Sequence, residues 1–195
     1  MQYLWTPWRM AYISDAGGAK PEQSGGSESE NASSRATHQE TDIPQPEAES
    51  VGCVFCDRVR LSPDNDRASL ILLRAHHNFI ILNLFPYNSA HLMAVPYRHT
   101  ADFASLDAET VNEMMALMQR MVRVIGAEYK PQGYNLGMNM GNVAGAGVAD
   151  HAHMHLVPRW SGDTNFMPIV GATKVMPELL ETTFDRLKAR LKTTQ

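Results

Sequence analysis

Cysteine is scarce in this chain of 195 residues: there are two, both within the run Cys53-Val54-Phe55-Cys56. A disulfide framework needs several spaced cysteines, so that class is excluded. Long apolar runs are also missing. No stretch approaches the roughly 20 residues that a membrane span requires. The opening residues, Met1 to Ile13, lack the basic start and unbroken apolar stretch of a signal peptide. A cytoplasmic protein is therefore expected. Net charge is small, −4 at pH 7, from 17 basic and 21 acidic residues. That argues against non-specific nucleic-acid binding but not against a nucleotide, which needs only local donors.

What is present is unevenly placed. Hydrophobic residues make up 44% of the chain, yet mean hydropathy is −0.30, so part of it must be strongly polar. Residues 1–16 form an aromatic arm with Tyr3, Trp5, Trp8 and Tyr12. Residues 17–50 are rich in Gly, Ser, Glu and Pro and cannot bury enough apolar area to offset their ordering entropy; a disordered linker is expected. Residues 51–195 carry the globular domain. The arm is expected to dock back onto that domain or onto a second subunit, because exposed tryptophans make an unusual surface.

Within the domain, Leu70–Leu73, Phe79–Asn83 and Leu92–Val95 read as short strands, with turn chemistry at Pro86-Tyr87-Asn88-Ser89. From Asp107 to Lys130 the period changes to helical: Val111, Met114, Met115, Met118, Met121, Val122, Ile125 and Tyr129 share a face. Asp107 is the expected N-cap, and Pro131 stops the helix. Tyr134–Asn139 reads as a fourth strand. Met176–Leu191 reads as a second helix, with Pro177 in its first turn and Leu180, Phe184, Leu187 and Leu191 on one face. Hairpin-like strands interrupted by a helix point to an α+β arrangement, an antiparallel sheet with helices on one face.

The densest chemical signal is His151-Ala152-His153-Met154-His155-Leu156-Val157-Pro158. Alternation is the strand period, so the three imidazoles leave one face about 7 Å apart, while Ala152, Met154 and Leu156 take the other. A strand that spends a whole face on histidine is poor packing but a reasonable site. A neutral imidazole can attack an electrophile, accept a proton or ligate a metal. The bland alternative is a loosely metal-binding tract, which the apolar alternation and Pro158 oppose. Just upstream, Gly141, Gly145 and Gly147 form a loop whose backbone amides can approach an anion; turns use glycine as well, so the loop alone is weak evidence. Cys53 and Cys56 are open to redox, buried or metal roles. With His99 and His151 they make a complete tetrahedral Cys2His2 set.

This ordered set resembles the histidine triad (HIT) family: the triad itself, the stretch His77 to Pro96, and Asn139-Met140-Gly141 followed by Ala144-Gly145. The resemblance covers most of residues 53–170. It implies an α+β HIT fold with a five-stranded antiparallel sheet and two main helices, paired as a homodimer. It implies His153 as the nucleophile on the α-phosphate of a nucleotide and His155 as a donor to phosphate oxygens. Gly145, Ala146 and Gly147 would contribute backbone donors, Asn139 would contact phosphate or leaving group, and Asn83 the ribose. Asn83 and Asn139 have duller readings as a strand end and a turn start. A branch of the family ties its N-terminal turn to the sheet with structural zinc on the set matched here by Cys53, Cys56, His99 and His151.

Two departures matter. Ala146 stands where the usual loop has Gln, and Asp150 lengthens the approach to the triad by one residue. With the arm and the tail from His155 to Phe166, these resemble the diadenosine tetraphosphate phosphorylase subgroup. In that reading Trp160 lies near the nucleotide; otherwise it is a sheet-edge aromatic. The implied function is phosphorolysis of diadenosine tetraphosphate to ADP and ATP through a nucleotidyl-histidine, with inorganic phosphate as second substrate. The rivals are a HIT-family hydrolase of dinucleoside polyphosphates or nucleoside phosphoramidates, a nucleotide-binding interaction module with weak catalysis, and a zinc-stabilised adaptor. His76, His77 and His91 receive no chemical role; His91 reads as a core histidine.

Overall fold

The structure is a computed structural model that describes residues 52–163, 166–171 and 175–194. The expected arm and linker, and Thr164 and Asn165 of the tail, lie outside the described residues. Five strands form one sheet: β1 (Ile71–Arg74), β2 (Asn78–Leu82), β3 (Leu92–Pro96), β4 (Gly133–Met138) and β5 (Met154–Arg159). Their order is β1-β2-β3-β5-β4, with every pair antiparallel. This is the α+β architecture expected. β2 and β3 are buried along their whole length, so both faces of the sheet centre are covered. β4 is an edge strand, and its Leu136 is exposed.

The helices are α1 (Val54–Val59), α2 (Asp66–Ser69), α3 (Ala108–Tyr129), α4 (Met167–Val170) and α5 (Leu180–Leu191). Helix α3 starts where expected. The Asp107 carboxylate accepts the Thr110 N–H at 2.7 Å and its hydroxyl at 3.0 Å, satisfying an amide that has no partner within the helix. It ends at Lys130, which turns left-handed (φ 48°) before Pro131. Its buried stripe is Met114, Leu117, Met118, Met121, Val124 and Ile125. Leu117 and Val124 complete it, and Met115, expected on that face, is exposed to solvent. Helices α3 and α5 pack on each other and against β1, β2 and β3.

The second main helix starts later than expected, at Leu180 rather than Met176, and Pro177 precedes it. The reason is Glu178. Its carboxylate accepts Tyr129 OH at 2.6 Å, Thr183 OH at 2.7 Å and Arg186 Nη1 at 2.7 Å. Bringing Glu178 to the end of α3 bends the chain before the helix begins. Among the described residues no helix is long and apolar enough to cross a membrane.

Candidate functional site

The triad segment is only partly strand. β5 begins at Met154, so His155 lies within it, while His153 and His151 lie in the chain leading to it. Ala152 anchors that lead, donating its N–H to Thr100 O at 2.7 Å. The expected division of faces holds in part: Ala152 and Leu156 are buried. But His151 and His153 are buried too, at 1% and 4% exposure. Helix α1 covers them. Its Phe55 ring centroid lies 5.4 Å from that of His151 and 5.1 Å from that of His153. Phe55 was not singled out in the sequence; its position between two candidate ligands was the only available clue.

The donor atoms of Cys53, Cys56, His99 and His151 all lie within 4.8 Å of one another. Cys53 Sγ is 3.3 Å from His151 Nδ1, Cys56 Sγ is 3.5 Å from His99 Nδ1, and the two Nδ1 atoms are 3.2 Å apart. Thiolates at about 2.3 Å and imidazoles at about 2.0–2.1 Å around one tetrahedral zinc give donor–donor edges of roughly 3.3–3.8 Å. Those three edges, 3.2–3.5 Å, lie near that range, within a set whose donor atoms span no more than 4.8 Å. His151 Nε2 lies 2.9 Å from Pro96 O. A carbonyl only accepts, so Nε2 carries the proton and Nδ1 presents its lone pair to the other ligands. Burial holds the His151 imidazolium down to about 4, against the pull of the Pro96 carbonyl, so the ring stays neutral and ligating. Burial also pushes the Cys53 thiol up to about 11. A thiolate there calls for a cation. The four residues can hold a metal with no open coordination position, which is a structural site.

Metal ligand and triad are joined through one residue. His153 Nδ1 lies 2.8 Å from the backbone oxygen of His151. That nitrogen must donate, so the neutral His153 ring has an unprotonated Nε2, the atom with nucleophilic character. The rings of His153 and His155 stand edge-on, with centroids 4.9 Å apart. His155 Nδ1 lies 2.9 Å from Nε2 of His91, which is 1% exposed. His91 is the buried histidine with a satisfied ring that was expected, and its ring also touches the triad at His155.

The flanking residues are placed less uniformly. Asn83 follows β2, accepts the Phe85 N–H at 2.9 Å and turns its amide nitrogen to within 3.4 Å of His91 Nδ1. Asn139 donates to Gly145 O at 3.3 Å and so closes the base of the loop before the triad. Gly141 and Gly145 both take positive φ, 80° and 83°, where a side chain would strain the turn. Inside the loop, Gly145 N–H donates to Asn142 O at 2.9 Å and Ala146 N–H to Gly141 O at 3.3 Å. Of the three amides expected to meet phosphate, two thus have partners within the loop and Gly147 is the remaining one. Trp160 lies past the far end of β5, roughly 16 Å along an extended chain from His155. Its indole donates to Tyr129 O at 3.3 Å. The structure does not bring it to the triad.

Residues 65–162 match the model of the HIT domain. An AP-4-A phosphorylase of Mycobacterium tuberculosis is 37% identical over 183 residues, covering 94% of this chain and 80% of that protein. An adenosine 5'-monophosphoramidase of Schizosaccharomyces pombe is 27% identical over 109 residues, 56% of this chain and 75% of the relative. Among solved structures, a Zn-bound histidine triad family protein from Mycobacterium smegmatis superposes with a TM-score of 0.58 at 29% identity, covering 73% of this chain and 94% of that one. On the matched domain and the identity across nearly its whole length, the chain belongs to the HIT family.

Proposed function

We propose that the protein is a nucleotidyltransferase that cleaves diadenosine tetraphosphate by phosphorolysis, with His153 as nucleophile. The observation that carries the chemistry is the His153 Nδ1 contact to the His151 carbonyl at 2.8 Å, which makes Nδ1 the protonated nitrogen and leaves Nε2 unprotonated on a buried, oriented ring. The substrate is read from the AP-4-A phosphorylase that shares 37% identity over 94% of the chain.

Nε2 of His153 attacks the α-phosphorus. The bond from that phosphorus to the bridging oxygen breaks, and ATP leaves with the bonding pair. AMP remains on His153 as a phosphoramidate. A phosphate oxygen then attacks the same phosphorus, the P–N bond breaks, and ADP leaves with His153 restored. The reacting centre bears negative oxygens that repel a nucleophile, so charge must be met by oriented donors. In this reading His155 and the Gly147 amide serve there, Asn139 shapes the loop, and Asn83 is the residue assigned to the ribose. Cys53, Cys56, His99 and His151 would hold zinc, which supplies a fixed cross-link between α1 and the start of β5. The second copy that the family resemblance implies has an exposed edge at β4 to pair with, and the cytoplasm is the setting we propose.

Incubation with diadenosine tetraphosphate, with and without inorganic phosphate, tests the reading by chromatography of the products. ADP plus ATP formed only with phosphate is the expected result. AMP plus ATP regardless of phosphate would make the protein a hydrolase. No turnover would remove the dinucleotide assignment.

A further inference from the structure

His91 lies just outside the triad, and its contacts are directional. It follows Ala90, which is held at φ 59°, a left-handed conformation costly for a residue with a Cβ. The Tyr87 N–H donates to His91 Nδ1 at 2.9 Å. A backbone N–H can only donate, so Nδ1 must be the acceptor, and the neutral His91 ring carries its proton on Nε2. That Nε2 lies 2.9 Å from His155 Nδ1. His155 Nδ1 must then accept, which places the His155 proton on its own Nε2. Tyr87 flanks both rings: its centroid is 4.7 Å from that of His91 at 32° and 6.0 Å from that of His155 at 28°, while the two histidine rings are tilted 46° to each other.

We propose that His91 is a positioning residue that fixes the tautomer of His155, so that neighbouring triad histidines are held in opposite tautomers. His153 presents a lone pair at Nε2, and His155 presents a proton at Nε2. Two rings of identical chemistry thereby become nucleophile and donor. The functional use of that donor rests on the nucleotidyl-transfer reading above; the tautomer does not.

The relay is anchored outside the site. Tyr87 belongs to the loop between β2 and β3, and Asn88 beside it ties that loop to the end of β5. Asn88 Nδ2 donates to Pro158 O at 3.1 Å and to Asp163 Oδ2 at 2.8 Å. Asp163, whose side chain is 8% exposed, also accepts Arg159 through Nε and Nη2 at 2.6 and 2.9 Å and the Trp160 N–H at 3.1 Å. The Asn88–Asp163 contact therefore holds the loop that supplies the Tyr87 N–H.

The test uses the full chain, zinc-loaded and labelled with 15N histidine, and reads ring tautomers by long-range proton–nitrogen correlation without substrate. The expected result is His155 with protonated Nε2 and unprotonated Nδ1, and His153 the reverse. Protonated Nδ1 on His155 in the wild type would overturn the proposal. His91→Gln keeps both an acceptor for Tyr87 and an N–H donor for His155, so it should keep the His155 tautomer and activity within several-fold. His91→Glu offers only acceptors when ionised and should move the His155 proton to Nδ1. Its kcat on diadenosine tetraphosphate should fall by about 100-fold, the scale of one positioned proton donor, with KM changed much less. Asn88→Ala should give a mixture of tautomers. Equal loss in the Gln and Glu variants with an unchanged His155 spectrum would reduce His91 to a structural role and overturn the proposal. Correct tautomers in a wild type that does not turn over the dinucleotide would leave the relay standing and remove the functional reading instead.

Discussion

Truncating Phe55 to alanine should damage both stability and turnover, by separable amounts. The ring is 4% exposed and packs on His151 and His153 at once. Phe→Ala in a closed core costs about 3–5 kcal/mol, of which each aromatic contact supplies about 0.5–1.5 kcal/mol. The position is held at both ends by candidate ligands, Cys53 and Cys56, so the gap cannot collapse freely, and we expect a loss of about 4 kcal/mol. For a domain of this size that lowers Tm by about 10–15 °C. Phe55→Leu fills most of the volume and should cost about 1 kcal/mol. Turnover should fall further than unfolding explains, by about tenfold in kcat under conditions where the variant is fully folded. The His151 carbonyl still holds Nδ1 of His153, but one wall of the ring's socket is gone. Urea denaturation of the metal-loaded protein, followed by steady-state kinetics, reads both quantities. A loss below about 1 kcal/mol for alanine, or equal losses for alanine and leucine, would refute the packing argument.

Other perturbations have definite signs. His153→Ala should lower phosphorolysis by at least about 1,000-fold while nucleotide binding measured by calorimetry persists. Chelation should lower Tm sharply. Because the Cys53 thiol is pushed up to about 11 by burial, metal binding must expel its proton, and apparent metal affinity should drop at least about tenfold per pH unit between pH 8 and 6. In the metal-free protein, burial holds the folded His151 pKa down to about 4, below its unfolded value. Its neutral-ring stability is complete above pH about 6.5 and is lost as pH falls toward 4, so metal-free protein should melt progressively earlier across that window. Glu113 is opposed by burial, but hydrogen bonds from the Asn78 amide and from the backbone of His77, His76 and Asn78 overcome it and hold its carboxyl below the usual range. Its contribution is full above the unfolded pKa near 4.3 and fades as pH falls below it. Glu113→Gln should therefore cost about 2–3 kcal/mol at pH 7 and flatten the acid limb of the Tm–pH curve.

Local rules made much of this molecule legible. Asp107 announces a helix because a carboxylate just before the first turn of an apolar-striped segment has an orphan amide to accept. The histidines at 151, 153 and 155 announce a site because their period matches a strand. The four candidate ligands are legible as a set because Cys and His together fill a tetrahedron. What was hidden depends on contacts between distant segments. Helix α1 is six residues long and had no periodicity to show, so Phe55 could not be placed over the triad. His91 stands 64 residues from His155, and its tautomer depends on a backbone amide that no sequence pattern reveals. Glu178 delays α5 because Tyr129, on another helix, competes for it. The amides of Gly145 and Ala146 turn inward because the loop satisfies itself, a choice that glycine content alone does not dictate.

The central claim is a covalent nucleotide on one ring nitrogen of His153. The direct measurement is to mix the zinc-loaded protein with diadenosine tetraphosphate in the absence of phosphate, quench at alkaline pH to protect the acid-labile P–N bond, and map the adduct by peptide mass spectrometry. The account predicts one adenylyl group on His153, discharged as ADP when phosphate is added and absent from His153→Ala. Labelling at another residue, or full phosphorolysis by His153→Ala, would contradict it.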